Sequence, residues 1–227
     1  MTADGVWEVF DDKLPLLAAT YGRGQARMVA MGLRDGGLVV WSPGSRSDGA
    51  RASLAKWGKP RFLLAPNHFH NAGLIEWMRA YPEASIVAHP NAHARLHKKV
   101  NRAYEIAGLD VLENALHDGV RVFGPPHAKQ GETWIGVDRE SLRALVVCDA
   151  VVNFASIGWQ FKLLGFRERL MTNPFFKRMF LTSKPAYKEW MHDELKRSPP
   201  TLFVPGHGDV LRGDDLAERL REATRLA

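Results

Sequence analysis

The sequence predicts a mixed α/β fold, and three observations point that way. Short apolar runs of strand type alternate with segments of helical period along most of the chain. Two histidine-bearing loops, Asn67-His68-Phe69-His70 and Pro205-Gly206-His207-Gly208, directly follow two such runs, Arg61–Ala65 and Thr201–Val204. Ligands of α/β sheets gather on loops that leave the carboxyl ends of strands, where residues distant in sequence converge. No internal repeat, low-complexity tract or linker divides the 227 residues, which therefore read as one domain, 1–227.

Taken in order, Trp7–Phe10 and Gln25–Leu33 read as extended, and Asp35-Gly36-Gly37 signals a tight turn before Leu38–Trp41. Ser47 or Asp48 can cap a short helix ending near Trp57. After the Arg61–Ala65 strand and its loop, a helix from about Ala72 to Ala80 stops at Tyr81-Pro82. Asn71 is the natural N-cap of that helix, and Glu76 points along it. Ser85–Ala88 is a strand, and Pro90–Lys98 a helix opened by proline. A loop region leads to strands at Val120–Phe123, Thr133–Val137 and Ala144–Val147. A helical insert covers about 155–196, made of the basic segment and then Ala186–Lys196. The Thr201–Val204 strand follows, then a helix from Asp214 with Leu216, Leu220 and Ala223 on one face.

Composition narrows the class. Apolar residues make up 45% and charged residues 25%, proportions of a globular chain and not a disordered one. The single cysteine, Cys148, excludes an internal disulfide and any CxxC metal site, and fits a reducing cytoplasm. Met1-Thr2-Ala3-Asp4-Gly5 has neither a basic start nor an apolar stretch behind it, so a secretory signal is not expected. The most apolar stretch, Ala144–Trp159, is broken by Asp149 and Asn153 and is too short to span a bilayer. A soluble, cytoplasmic protein is expected.

The net charge of +6 is concentrated. Between Phe161 and Lys188 seven basic residues face one acid, Glu168, which accounts for the whole excess. Apolar residues, five of them phenylalanine, are mixed among them. Such a mixture suits a helical insert that packs its aromatics and solvates its charges. It also suits an amphipathic element for a membrane surface or nucleic acid. A cap over the strand ends is the expectation here, with no nucleic acid as partner. A homo-oligomer formed through 161–188 is a further reading, because the aromatics exceed what a solvated lid needs.

Four loop sites offer metal-type donors: His68 with His70, His127 in Pro125-Pro126-His127-Ala128-Lys129-Gln130-Gly131, Asp149 after the Ala144–Val147 strand, and His207. Imidazole and carboxylate are the usual non-thiolate ligands of zinc-type ions. Each has a plainer reading as well: hydrogen-bonded loop histidines, or an aspartate that caps a turn. His89, His93 and His97, spaced by four, share a helical face and read as exposed. Cys148 reads as a buried strand residue.

This ordered set resembles the metallo-β-lactamase superfamily. Its members carry H-x-H-x-D-H after an early strand, a third histidine in a glycine-bearing turn, an aspartate at a strand end and a last histidine in a G-H-like loop. The matching positions are His68, His70, His127, Asp149 and His207, spread over most of the chain. The resemblance implies a four-layer αβ/βα sandwich and a metal site built from those five residues. Where the family has D-H, this chain has Ala72-Gly73, so the second metal site of two-metal members keeps only Asp149 and His207. The turn at His127 is also one residue longer before its glycine than the family pattern. One divalent ion is therefore expected, zinc first, with iron or manganese as alternatives. Two functions stay open. One is a metal-dependent hydrolase of a small ester, thioester, lactone or phosphoester; the other is a non-catalytic relative with a binding or structural site.

Overall fold

The computed structural model describes residues 6–22, 26–100 and 104–225. The chain divides into two compact units, Met1–Asp118 and Gly119–Ala227, each with its own sheet.

The first unit is a seven-stranded sheet in sequential order: β1 (Glu8–Asp11), β2 (Leu16–Tyr21), β3 (Ala26–Gly32), β4 (Leu38–Trp41), β5 (Pro60–Ala65), β6 (Ser85–Ala88) and β7 (Ile106–Ala107). It is antiparallel from β1 to β4 and parallel from β4 to β7. Parallel neighbours need crossovers, and α1 (Asp48–Leu54), α2 (Leu74–Ala80) and α3 (Pro90–Leu96) supply them. A short α4 (Leu109–Glu113) follows β7. Alternate residues share a sheet face, so Leu17, Met28, Val40, Leu63 and Ile86 meet Leu54, Trp77 and Leu96 from the helices in one core. The fully buried Trp77 also donates from Nε1 to the Gly44 carbonyl (2.9 Å) and Ser47 Oγ (3.0 Å), which ties α2 to the loop after β4.

The expected order of elements is found, with additions. Strand β2 has no polar alternation, since Leu16, Leu17, Ala18 and Ala19 are all buried, and so it carries no period-two signal. Strand β7 and α4 lie in the stretch read as loop, and both are too short to show a period. The tight turn forms as expected: Gly36 takes φ +80°, and Asp35 Oδ1 accepts from the Gly37 N–H (2.9 Å).

The second unit has a five-stranded sheet in the order β14 (Leu211–Arg212), β13 (Leu202–Pro205), β10 (Leu142–Val147), β9 (Trp134–Arg139), β8 (Val120–Phe123). A separate two-stranded ribbon pairs β11 (Val151–Asn153) with β12 (Leu170–Thr172). Only β10 and β13 run parallel in the larger sheet. The helices are α5 (Trp159–Leu163), a π-helical turn at Phe176–Phe180, α6 (Lys184–Arg197) and α7 (Leu216–Arg225). Ser183 Oγ caps α6 by accepting from the Ala186 N–H (3.4 Å). Tyr187, Met191 and Leu195, spaced by four, then face Phe203, Leu216 and Leu220 in the core.

The stretch 155–196 is thus two helices separated by a strand and a π turn. Gly165, at φ +96°, ends the first helical piece, and Pro174 with the Asn173 Oδ1 cap on the Phe175 N–H (2.9 Å) restarts the chain.

One buried charge in α6 predicts a pH effect. Burial pushes the Glu194 carboxyl up, but hydrogen bonds from Arg197 and Arg121 (2.5 Å) more than offset it and leave it below the ordinary value of 4.5. A depressed carboxylate stabilises the fold above its unfolded pKa and loses that contribution as pH falls through the folded one. Unfolding free energy should therefore decline below about pH 4.5. Glu194→Gln should flatten that decline and cost about 1 kcal/mol at neutral pH, modest because both arginines reach solvent. Urea titrations of both proteins from pH 3 to 7 test it; an identical acid decline in the variant would refute it.

Candidate functional site

In the first unit the candidate residues stand on the loop that leaves β5. Asn67 is fully buried, and its Oδ1 accepts from the N–H groups of Phe69 (2.8 Å) and His70 (3.2 Å). This side-chain turn folds the two histidines back at the strand end. Asn71 closes the loop from the other side, its Nδ2 donating to the His68 carbonyl (2.6 Å). It does not cap α2 as expected; that helix starts two residues later, with Gly73 at the N-cap position.

His70 Nδ1 lies 2.8 Å from Ser42 Oγ, which is itself 2.9 Å from the Tyr21 hydroxyl. Ser42 holds φ +54° at the end of β4. A bond at Nδ1 orients the ring and assigns any ligation to Nε2, the arrangement typical of ligating histidines. His68 differs. Its Nε2 is 2.7 Å from Arg95 Nη1 on α3. A guanidinium only donates, so His68 accepts there with the same lone pair a metal would use. Arg95 also lies over the Phe69 ring, 5.6 Å from its centroid.

Ala72 and Gly73 bring no donor to this loop. A Cβ at Gly73 would come within 2.3 Å of the Gly44 carbonyl oxygen and 2.6 Å of that of Pro43. Glycine is required here for close backbone approach, since φ is an ordinary −100°. Glu76 accepts from the Arg46 N–H (2.8 Å), in keeping with its reading as a helix-side residue. On α3, His89 Nδ1 accepts from the Asn91 N–H (3.2 Å) as the N-cap, and its pKa is lowered by burial and then by His93. His93 Nε2 donates to the Ala88 carbonyl (3.0 Å). These two histidines are accounted for structurally.

In the second unit Asp149 and His207 leave the carboxyl ends of the parallel neighbours β10 and β13, where Val147 pairs with Pro205. Asp149 Oδ1 lies 3.2 Å from His207 Nε2, and both side chains keep partial exposure. Two glycines make this possible. The Gly206 N–H donates to the Val147 carbonyl (2.6 Å), and a Cβ there would press on Cys148. Gly208 holds φ +92°, and a Cβ on it would fall 1.8 Å from the Asn153 carbonyl oxygen. The His207 loop therefore lies directly on the 148–153 backbone.

Glu132 is a buried acid that the reading of the sequence passed over. Its Oε1 accepts from the Ala150 N–H (2.8 Å) and from Trp134 Nε1 (3.0 Å), so it clamps the peptide that follows Asp149. An acid set just before an apolar strand, in Gly131-Glu132-Thr133-Trp134, was the available signal. Donor atoms of Glu132, Cys148 and Asp149 lie within 4.8 Å of one another. Burial first, and then the charges of Asp149 and Glu132, push the Cys148 thiol well up. It stays protonated, which makes it a poor ligand and a poor nucleophile.

His127 is exposed, at φ +66°, in a turn held by backbone bonds: its carbonyl accepts from the Thr182 N–H (3.1 Å) and Oγ1 (3.2 Å), beside an Ala128–Leu181 bridge. Among the described residues no close group of three donors includes it.

No family model matches the chain, and neither does any curated protein. Solved structures do. The metallo-β-lactamase DIM-1 exposed to ceftazidime is 13% identical over 97% of this chain and 96% of its own, with a TM-score of 0.62. The metallo-β-lactamase FIM-1 from Pseudomonas aeruginosa, in its mono-zinc form, is 8% identical over 97% and 95%, at 0.60. A peroxy diiron species of the chemotaxis sensor ODP is 13% identical over 97% and 94%, at 0.58. The chain has the metallo-β-lactamase fold.

Proposed function

We propose that this chain is a metal-dependent, hydrolase-like protein that uses one divalent ion on a small ester, thioester, lactone or phosphoester. The observation that carries this reading is the Asp149–His207 pair, a carboxylate and an imidazole 3.2 Å apart and partly exposed at adjacent strand ends. That donor chemistry suits zinc first, and iron or manganese as alternatives. The proposed ligand set is His68, His70, His127, Asp149 and His207. His70 is already oriented through Ser42, whereas His68 would have to release Arg95. One ion and not two follows from the absence of donors at Ala72 and Gly73.

A bound ion of this kind would lower the pKa of a bound water towards neutrality and polarise the carbonyl or phosphoryl oxygen of the substrate. As a ligand Asp149 would help to hold the ion, and Glu132 positions it by gripping the Ala150 N–H. The lone buried cysteine is consistent with a reducing, cytoplasmic setting. Among the described residues no helix is long and apolar enough to cross a membrane.

A non-catalytic binding protein is the second reading, favoured by the Arg95 guanidinium on His68 Nε2 and by the alanine at position 72. Metal content per chain, measured on protein purified without added metal, should be close to one. Zinc- or manganese-loaded protein should show slow turnover on activated esters or thioesters. A chain that binds one ion but hydrolyses nothing across an ester, thioester, lactone and phosphodiester panel would leave the binding role; a chain that binds none would remove the hydrolase reading.

A further inference from the structure

The segment after β11 presents an apolar surface that the core does not use. Trp159 is 67% exposed, Leu163 77% and Met179 57%, with Phe161 and Leu164 each nearly half exposed. Trp159 and Leu163, four residues apart on α5, share a face. Phe161 stands on a packed base. Phe166 is buried and sits at the centre of an aromatic group, with ring centroids 5.6 Å from Phe161, 5.8 Å from Phe175 and 5.9 Å from Phe154.

Cations border this platform. Arg169, Lys177 and Arg178 line a cleft of about 150 Å³ together with Gly165 and Pro174. Gly165 joins the end of α5 to that cleft, with Pro174 and Arg178 each within 4 Å of where its Cβ would be. The only acid in 161–188, Glu168, is paired with Lys162 (3.1 Å), and the segment carries a net charge of +6.

We infer that this platform docks on an anionic lipid bilayer, with Trp159, Leu163 and Met179 entering the interface and the Arg169–Lys177–Arg178 cleft receiving a headgroup phosphate. Charge complementarity selects this occupant. A second copy meeting the same patch would set one +6 segment against another. A duplex nucleic-acid backbone would satisfy the cations but leave the apolar side chains in water. An anionic interface takes both, since apolar burial and basic residues add in surface binding.

The test is co-sedimentation of the intact protein with vesicles of phosphatidylcholine alone and of phosphatidylcholine mixed with phosphatidylglycerol. Binding is expected to the mixed vesicles only, weakening as salt rises. Trp159→Ser with Leu163→Ser, and separately Arg169→Glu with Arg178→Glu, should each lower the partition coefficient at least about tenfold. Circular dichroism melts check that the variants fold; if the arginine pair does not, the milder Arg169→Gln with Arg178→Gln replaces it. Absence of vesicle binding, equal binding to both compositions, or full binding by the variants would overturn the proposal. So would duplex DNA binding or a dimer dissolved by the Trp159 and Leu163 substitutions, if found without vesicle binding.

Discussion

Gly73→His, alone or with Ala72→Asp, is expected to disrupt the first unit and not to complete a second metal site. The obvious restoration of a D-H pair fails on geometry. Any Cβ at position 73 would stand 2.3 Å from the Gly44 carbonyl oxygen and 2.4 Å from the Gly44 carbonyl carbon. These atoms are backbone, so no rotamer change can relieve the clash. The Gly73 N–H donates to the Pro43 carbonyl (3.0 Å), and the Gly44 carbonyl accepts from Trp77 Nε1, so the two chain segments are bonded as well as packed. Overpacking usually costs about 1–3 kcal/mol, and a rigid backbone clash belongs at or above the upper end.

Gly73→Ala isolates the Cβ from the imidazole and should already cost about 3 kcal/mol. Ala72→Asp, at an exposed position, should stay within about 0.5 kcal/mol of the parent. Urea unfolding of the three variants separates these effects. A Gly73→His protein as stable as its parent that takes up a second ion would overturn both the packing argument and the one-metal proposal.

Replacing Asp149 and His207 together by alanine should weaken metal binding by more than about 100-fold, because loss of even an outer partner of a ligand typically costs 10–100-fold. Both side chains are partly exposed, so the fold should lose little. Glu132→Ala gives the contrasting result. It leaves the buried Trp134 Nε1 and Ala150 N–H without their acceptor, and stability should fall by about 1–3 kcal/mol for each group. Isothermal titration with zinc, beside thermal melts, reads both. If the double alanine variant binds zinc as tightly as the parent, the proposed site is elsewhere.

The strand-end positions of His68, His70, Asp149 and His207 were legible because each follows an apolar run that ends abruptly. Strand β2 was not, since burial along its whole first part removes the polar residues that mark a period. Glu132 was missed for a related reason: a buried acid is identified by what it bonds, and both of its partners are set by the strand pairing. The insert was read as helical from its composition, yet Gly165 and Pro174 break it into short pieces.

The sequence by itself determined the α/β class, the histidines and aspartate that leave strand ends, and the lack of donors at Ala72 and Gly73. Periodicity and residue type carry that information locally. Only the tertiary structure decided that Asp149 meets His207, that Arg95 takes the His68 lone pair and that Gly73 lies against Gly44. It likewise decided that Trp159 and Leu163 face outward. Each of these depends on which backbones approach across long stretches of chain, and close packing leaves no trace in the spacing of residues along it.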